Sequence, residues 1–401
     1  MTASTIQSRT SAPLSSLANV IRLFSSTFNN SPEKIVSSPG RINLIGEHTD
    51  YNLGFVLPAA IDKYIHLAIK RRKDQQIHLV AADLGEQYRG NTDQLDPSPQ
   101  GWPNYLLGVM QEFAAKGVQL PGLEICFGGD IPAGAGLSSS AAIECAFAFA
   151  LNELLGTDYP RLDLVKMAQT AENRFVGVQC GIMDQFASMF GVQGKAILLD
   201  CRSLKYEHVP LEMNQYAILL LDSQVKYSLA GSEYNLRREQ CDMGVKALRK
   251  VYPTVASLRD ANRAMIEYTL KDQVPDLIYN RCKYVVEENL RLQVGCEALR
   301  RNDLVTFGKK MYASHVGLSK LYEVSCPELD YLVDLARLEH SIVGARMMGG
   351  GFGGCTINII RKSFLNEVVE RIQSAYTQRF GYSPTPIVCN LANGTHTISS
   401  R

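Results

Sequence analysis

Ser37-Ser38-Pro39-Gly40-Arg41-Ile42-Asn43-Leu44-Ile45-Gly46-Glu47-His48-Thr49-Asp50-Tyr51-Asn52 is the stretch that decides how this chain folds. Apolar Ile42 and Leu44 alternate with Arg41 and Asn43, the period of a half-buried strand, entered through a Pro39-Gly40 turn and broken at Gly46. Glu47 to Asn52 then place hydrogen-bonding side chains in an unbroken row. Each polar group taken from water without a partner costs about 1–3 kcal/mol, so such a row is either a solvated loop or a site that bonds something polar. Apolar Phe55 to Ile61 anchors the far flank. A row held at both ends would be satisfied by a hydroxyl-rich ligand such as a sugar.

Working outward, Leu123 to Phe127 reads as a strand that runs into Gly128-Gly129-Asp130-Ile131-Pro132-Ala133-Gly134-Ala135-Gly136-Leu137-Ser138-Ser139-Ser140, followed by helix-forming Ala141 to Leu155. Gly134 to Ser140 thus lie at a helix N-terminus, where free N–H groups and the macrodipole favour an anion and glycines admit phosphate closely. The serines would supply caps and hydroxyls for a metal. An ordinary capped helix explains one serine, but not three behind a glycine-rich loop. No Gly-Lys-Ser/Thr follows, so this is not a Walker loop.

Glu172 falls near the end of a second helix, Leu162 to Arg174, where the dipole opposes a carboxylate. It is either a surface residue or held by another partner. Asp184, between Met183 and Phe186, needs a partner or a raised pKa, as a catalytic base or as one half of a buried salt bridge. Gly349-Gly350-Gly351-Phe352-Gly353-Gly354 satisfies G-x-G-x-x-G in form only. A strand precedes it and another follows, so the dinucleotide reading fails.

Gly40 to Ile61 resembles the galactokinase motif of the GHMP small-molecule kinases. Ile131 to Ala142 resembles the second GHMP motif, P-x-x-x-G-L-S-S-S-A-A, and Gly349 to Gly354 the third, a turn packed beside the phosphate loop. The resemblance spans nearly the whole chain. It implies an α+β fold in two domains: residues 1–208 with a ribosomal-protein-S5-like mixed sheet and helices, and residues 209–401 forming a ferredoxin-like α+β domain. The site would lie between them. The implied reaction is transfer of the γ-phosphate of ATP to the C1 hydroxyl of α-D-galactose, which feeds galactose catabolism.

On the same resemblance, Asp184 is the base and Arg41 its electrostatic partner. Glu47, His48, Thr49, Asp50, Gly181 and Tyr234 hold the sugar, although His48 could serve only to orient the loop and Tyr234 could pack on Arg237 or Arg238. Gly134, Ala135, Gly136, Leu137, Ser138, Ser139 and Ser140 hold the nucleotide, with Trp102 on the adenine side or in simple packing. Ser140 and Glu172 are the implied Mg²⁺ ligands. Asp222, Gln224 and Tyr227 depart from the family pattern, which bears on fine substrate selectivity. An N-acetylgalactosamine kinase and a non-catalytic sugar and ATP sensor are the alternatives. Sensors carry a damaged serine loop, whereas Ser138-Ser139-Ser140-Ala141-Ala142 is intact here.

At 401 residues the chain exceeds the about 250–300 at which a single core stops growing. A net charge of +1 gives no electrostatic case for nucleic acid or an acidic membrane. No apolar run reaches the roughly 18 residues of a span, since Ala141 to Leu151 carries Glu144. The ten cysteines lack C-x-x-C spacing and most sit in apolar settings, as Cys126 and Cys389 do, so they read as reduced core residues of a cytoplasmic protein; a monomer is expected. Residues 1–19 read as a frayed leader before a helix at Leu17 to Phe28. Tyr64–Ile69 and Ile77–Val80 have a hairpin pattern in which His66 and His78 are strand residues. Composition shifts near Glu207 to Pro210, and helices are expected beyond it at Ser232–Val251, Val274–Gln293, Cys296–Met311, Pro327–Glu339 and Phe364–Tyr376.

Overall fold

The motif strand lies second from the edge of a mixed sheet and is buried along almost its whole length. The structure, a computed structural model, describes residues 15–132, 134–226 and 230–398. Most of the expected leader, together with Ala133 of the phosphate loop and Tyr227 of the altered pattern, lies outside the described residues. The chain begins with α1 (Ser16–Phe28), the motif strand β1 (Lys34–Asn43), β2 (Phe55–Val56), β3 (Pro58–Arg71), β4 (Gln76–Ala81) and β5 (Glu86–Asn91). Next come α2 (Asn104–Ala115), β6 (Leu123–Gly129), α3 (Ser139–Leu155), α4 (Arg161–Ala171) and α5 (Met183–Phe190). Strands β7 (Lys195–Asp200), β8 (Tyr206–Pro210) and β9 (Tyr216–Asp222) precede a helical run. That run is α6 (Ala230–Arg249), α7 (Arg263–Thr269), α8 (Asp276–Arg300), α9 (Leu304–Gly317) and α10 (Pro327–Leu338). The chain closes with β10 (Ile342–Met347), β11 (Cys355–Arg361), α11 (Leu365–Phe380), β12 (Thr385–Cys389) and β13 (His396–Thr397).

Among the described residues the strands form three sheets, ordered β13-β1-β3-β6-β4-β5, β10-β11-β9-β12 and β2-β7-β8. The first is mixed, because β4 and β6 run parallel while its other pairs are antiparallel. Helices α2 to α5 cover it through a core that includes Leu106, Phe113, Phe147, Leu164 and Phe186. Ile42 and Leu44 face a different core, shared with Ile218 and Ile357 of the second sheet and Phe307 of α9. Their alternation therefore places β1 at the seam between the two halves of the chain.

Three local expectations change. Pro39-Gly40 does not turn the chain into the strand; it lies inside β1 as a bulge, where the register against β3 shifts between Pro39 and Arg41. The reason is proximity to the phosphate loop. A Cβ on Gly40 would sit 2.8 Å from the Leu137 carbonyl, which accepts from Arg41 N at 3.1 Å. The Tyr64–Ile69 and Ile77–Val80 strands are not a hairpin, because β6 inserts between them and β4 turns back onto β5 instead. His66 and His78 are strand residues, and His66 Nδ1 hydrogen-bonds Ser37 Oγ at 2.6 Å. Lastly, α8 continues through Gly295 to Arg300, and Asp303 caps α9 by accepting from Thr306 N at 2.9 Å. The ten cysteines are free, and no helix among the described residues is long and apolar enough to cross a membrane.

Arg346, wholly buried on β10, ties the seam shut. Its Nε donates to Leu44 O at 2.9 Å and its Nη2 to Asn43 O and to Glu47 Oε1, the last at 2.9 Å. Arg346→Met should lower stability by about 3–5 kcal/mol, because Glu47 is left buried and unpaired. Urea unfolding should show this as a shifted midpoint at unchanged slope.

Candidate active site

Arg41 emerges from the β1 bulge into a cleft where it meets Asp184, on the first turn of α5. The pair is bidentate, with Nε to Oδ1 at 2.7 Å and Nη2 to Oδ2 at 2.8 Å, while Nη1 donates to Gly136 O at 2.6 Å. Burial alone would lower the guanidinium's pKa, yet facing Asp184 raises it on balance. Ser138 donates to Asp184 Oδ2 at 2.5 Å. It stands at the N-cap of α3 with φ +58° and no capping bond, so its hydroxyl serves the carboxylate and not the helix. The capping expected of this serine is therefore absent. The first N–H groups of α3, which have no intrahelical acceptor, stay open to an anion.

Across the cavity the polar row is held in shape. Glu47 Oε1 accepts from Arg346 Nη2 and from Gly349 N at 2.8 Å. His48 Nε2 faces Gly350 O at 3.1 Å and Nδ1 faces Tyr51 OH at 2.7 Å. A carbonyl cannot donate, so Nε2 carries the proton and Nδ1 accepts from Tyr51, whose oxygen in turn accepts from Tyr322 OH at 2.7 Å. Burial drives the His48 pKa down to about 4, which keeps the ring neutral. Both ring nitrogens are thus committed to the protein, as expected if His48 orients the loop. Tyr234 covers His48 and Tyr51, with ring centroids 5.2 Å and 5.3 Å away.

Asp50 is buried against Gly181, where a Cβ would fall 1.9 Å from Asp50 Oδ2, so only glycine leaves room for the carboxylate. Burial first, then the charge of Asp184, push the Asp50 pKa up to about 7. Thr49 does not join the wall. Its hydroxyl shares its one proton between Gly46 O at 2.8 Å and Phe55 O at 2.5 Å, holding the loop from behind.

Glu172 stands where α4 widens into a short π-helix, Glu172–Val176, a distortion that aims it inward. Its carboxylate accepts from Gln185 Nε2 at 2.6 Å and from Cys180 Sγ at 3.4 Å, with Ser140 close by, and burial with the nearby Asp184 raises its pKa. Arg41, Glu47, His48, Asp50, Glu172, Gly181, Asp184 and Tyr234 line one cavity of ≈ 140 Å³. A second cavity, ≈ 330 Å³, is lined by Gly134, Gly136, Lys226 and Gly350–Gly354 and shares Gly350 with the first. The glycine turn thus faces the phosphate loop, as expected of the third motif. Trp102 lines neither cavity; it packs on Phe127 at 5.6 Å and donates to Glu86 Oε2 at 2.7 Å.

Family profiles match in three segments: a galactokinase galactose-binding signature over residues 22–71, the GHMP kinase N-terminal domain over 104–192 and the GHMP kinase C-terminal domain over 297–378. A Roseiflexus galactokinase is 41% identical over 363 residues, 90% of this chain and 92% of that one. The Clostridium beijerinckii galactokinase is 40% identical over 94% of this chain and 97% of its own. The chain belongs to the galactokinase family of GHMP kinases. The crystal structure of Lactococcus lactis galactokinase complexed with galactose superposes on it with a TM-score of 0.91 at 33% identity, covering 95% of this chain and 100% of that one. A mevalonate kinase structure, 19% identical with a TM-score of 0.64, shares the fold.

Several site residues were not singled out in the sequence. Arg346 and Gln185 act through partners distant in the chain, and Lys226 lines the second cavity. Glu144 gave one signal, the single acid in the apolar run Ala141 to Leu151.

By ¹⁵N-resolved NMR His48 should show the Nε2–H tautomer and titrate near pH 4. Tyr51→Phe, which removes the Nδ1 donor, should shift the Nδ1 resonance and leave Nε2 bonded.

Proposed function

We propose that this cleft transfers the γ-phosphoryl group of ATP to the C1 hydroxyl of α-D-galactose, yielding galactose 1-phosphate. As a member of the galactokinase family the chain is an ATP-dependent sugar kinase. The observation that carries the residue-level reading is the common cleft. Asp184 bonds Ser138 of the phosphate loop and lines the same cavity as Glu47, Asp50 and Glu172.

In this reading Asp184 takes the proton from the C1 hydroxyl as phosphoryl transfer proceeds. Arg41 fixes the carboxylate's plane and, through Gly136, joins it to the phosphate loop, so acceptor and donor are positioned by one side chain. Glu47 and Asp50 accept hydrogen bonds from sugar hydroxyls, with Gly181 and Tyr234 as walls, while His48 and Thr49 hold the loop. Gly134 to Ser140 and the first turn of α3 receive the phosphates, and Trp102 remains the candidate on the adenine side. Ser140 and Glu172 offer hydroxyl and carboxylate oxygens close to one another, a donor set suited to Mg²⁺ shared with phosphate. When bound there, Mg²⁺ would offset phosphate charge as it transfers. We further propose a domain boundary at residue 208, with β13 returning to pair with β1, and a monomeric cytoplasmic protein.

Galactose-dependent release of ADP tests the reading directly. Asp184→Asn should lower kcat by about 10²–10⁴-fold. No galactose-dependent ADP from the unaltered protein would overturn it. The second test is pH. Asp50 is ionised above and neutral below its raised pKa of about 7, and the neutral acid is the poorer acceptor. For galactose, kcat/KM should therefore fall about tenfold per unit as pH drops below that value, since this ratio reports the free enzyme. Asp50→Asn should flatten that limb.

A further inference from the structure

Glu144 lies one helical turn past Ser140 on α3 and is fully buried. The charges that act on it, Glu172 and Asp184, are both negative. Gln185, also fully buried, sits beside Asp184 on α5. Its amide nitrogen donates to Glu144 Oε2 at 3.1 Å and to Glu172 Oε2 at 2.6 Å. A primary amide has two N–H groups, and both are used on carboxyl oxygens of two different helices. Glu144 Oε1 and Gln185 Oε1 are buried without a partner. An apolar side chain at 144 would carry no such desolvation penalty. What the carboxyl adds is an acceptor that fixes the rotation of the Gln185 amide.

We propose that Glu144 and Gln185 are positioning residues for the metal site, Glu144 locking the Gln185 amide so that its second N–H holds the Glu172 carboxylate beside Ser140. The inference rests on Ser140 and Glu172 as Mg²⁺ ligands. Ser140 comes from α3, Glu172 from the end of α4, and Gln185 from α5 next to the base. One amide therefore ties the metal carboxylate to the phosphate-loop helix and to the helix that bears Asp184. Partners behind a metal ligand set its orientation, and their loss typically weakens metal binding about 10–100-fold.

The test is the affinity of a non-hydrolysable ATP analogue for the full chain, by calorimetry, with and without Mg²⁺. Gln185→Met keeps the length and removes both donors, and Glu144→Met removes the acceptor. Each should cut the gain in affinity due to Mg²⁺ by about tenfold or more while metal-free affinity is unchanged. Glu144→Gln, which still offers Gln185 a carbonyl acceptor, should keep most of the gain. Melting curves identify any variant that fails to fold, and either Met variant alone then suffices. Full retention of the Mg²⁺ gain in a folded Met variant overturns the inference alone. An unaltered chain with no Mg²⁺ gain overturns it together with the metal reading on which it rests.

Discussion

The bidentate contact between Arg41 and Asp184 is the constraint from which the site follows. A guanidinium this deeply buried is tolerated only when its donors are matched, and removing either partner strands a charge in low dielectric. Matching it shapes three separate pieces of chain. Strand β1 bulges at Pro39-Gly40 so that Arg41 N reaches Leu137 O and Arg41 Nη1 reaches Gly136 O. Ser138 adopts a left-handed backbone and spends its hydroxyl on Asp184 instead of capping α3. The first turn of α5 is held where it presents Asp184 on one side and Gln185 on the other. Strain at Ser138, of order 1–3 kcal/mol, is of the kind that surrounding structure must over-determine.

A second buried pair does for the sugar loop what the first does for the phosphate loop. Arg346 reaches from β10 to Glu47 and to two carbonyls of the motif, while Gly349 N and Gly350 O take up Glu47 and His48. The glycine turn is thereby fastened to the polar row. It also approaches the phosphate loop, since a Cβ on Gly354 would lie 3.6 Å from Ala135 O. Gly351 shows why a side chain is excluded there, with φ +87° and Val324 O 2.1 Å from where its Cβ would be. Both cavities therefore share one wall.

What could be read from the sequence was what local chemistry marks. The alternation around Ile42 and Leu44, the glycines and serines before α3, and the glycine turn between β10 and β11 each signal themselves over a few residues. What could not be read depends on partners far along the chain. β3 and β4 have strand periods, but nothing in either says that β6 will come between them. Gly295 looks like a helix stop, yet a Cβ there would press on Phe307 at 3.2 Å, so it marks the close crossing of α8 and α9. Thr49 has the same hydrogen-bonding chemistry as its neighbours in the row, and only its backbone geometry turns the hydroxyl away. Arg346 is a single polar letter in an apolar stretch and Gln185 only the neighbour of Asp184, so neither is legible as a partner of Glu47 or Glu172.

The charge balance of the cleft bears on how a triphosphate could enter it. Glu47, Asp50, Glu172 and Asp184 line one small cavity, and the negative charge of Asp184 helps push both Asp50 and Glu172 toward their neutral forms. Two guanidiniums oppose them, but Arg41 is matched by Asp184 and Arg346 by Glu47. His48, neutral, adds nothing. The carboxylates left without a basic partner among these are Asp50, against Gly181, and Glu172, which lies beside Ser140 at the phosphate loop. A polyanion brought to that spot meets uncompensated negative charge unless a cation comes with it. The same arithmetic explains why the amide of Gln185, a neutral donor, holds Glu172: a lysine or arginine in its place would cancel the charge a cation needs.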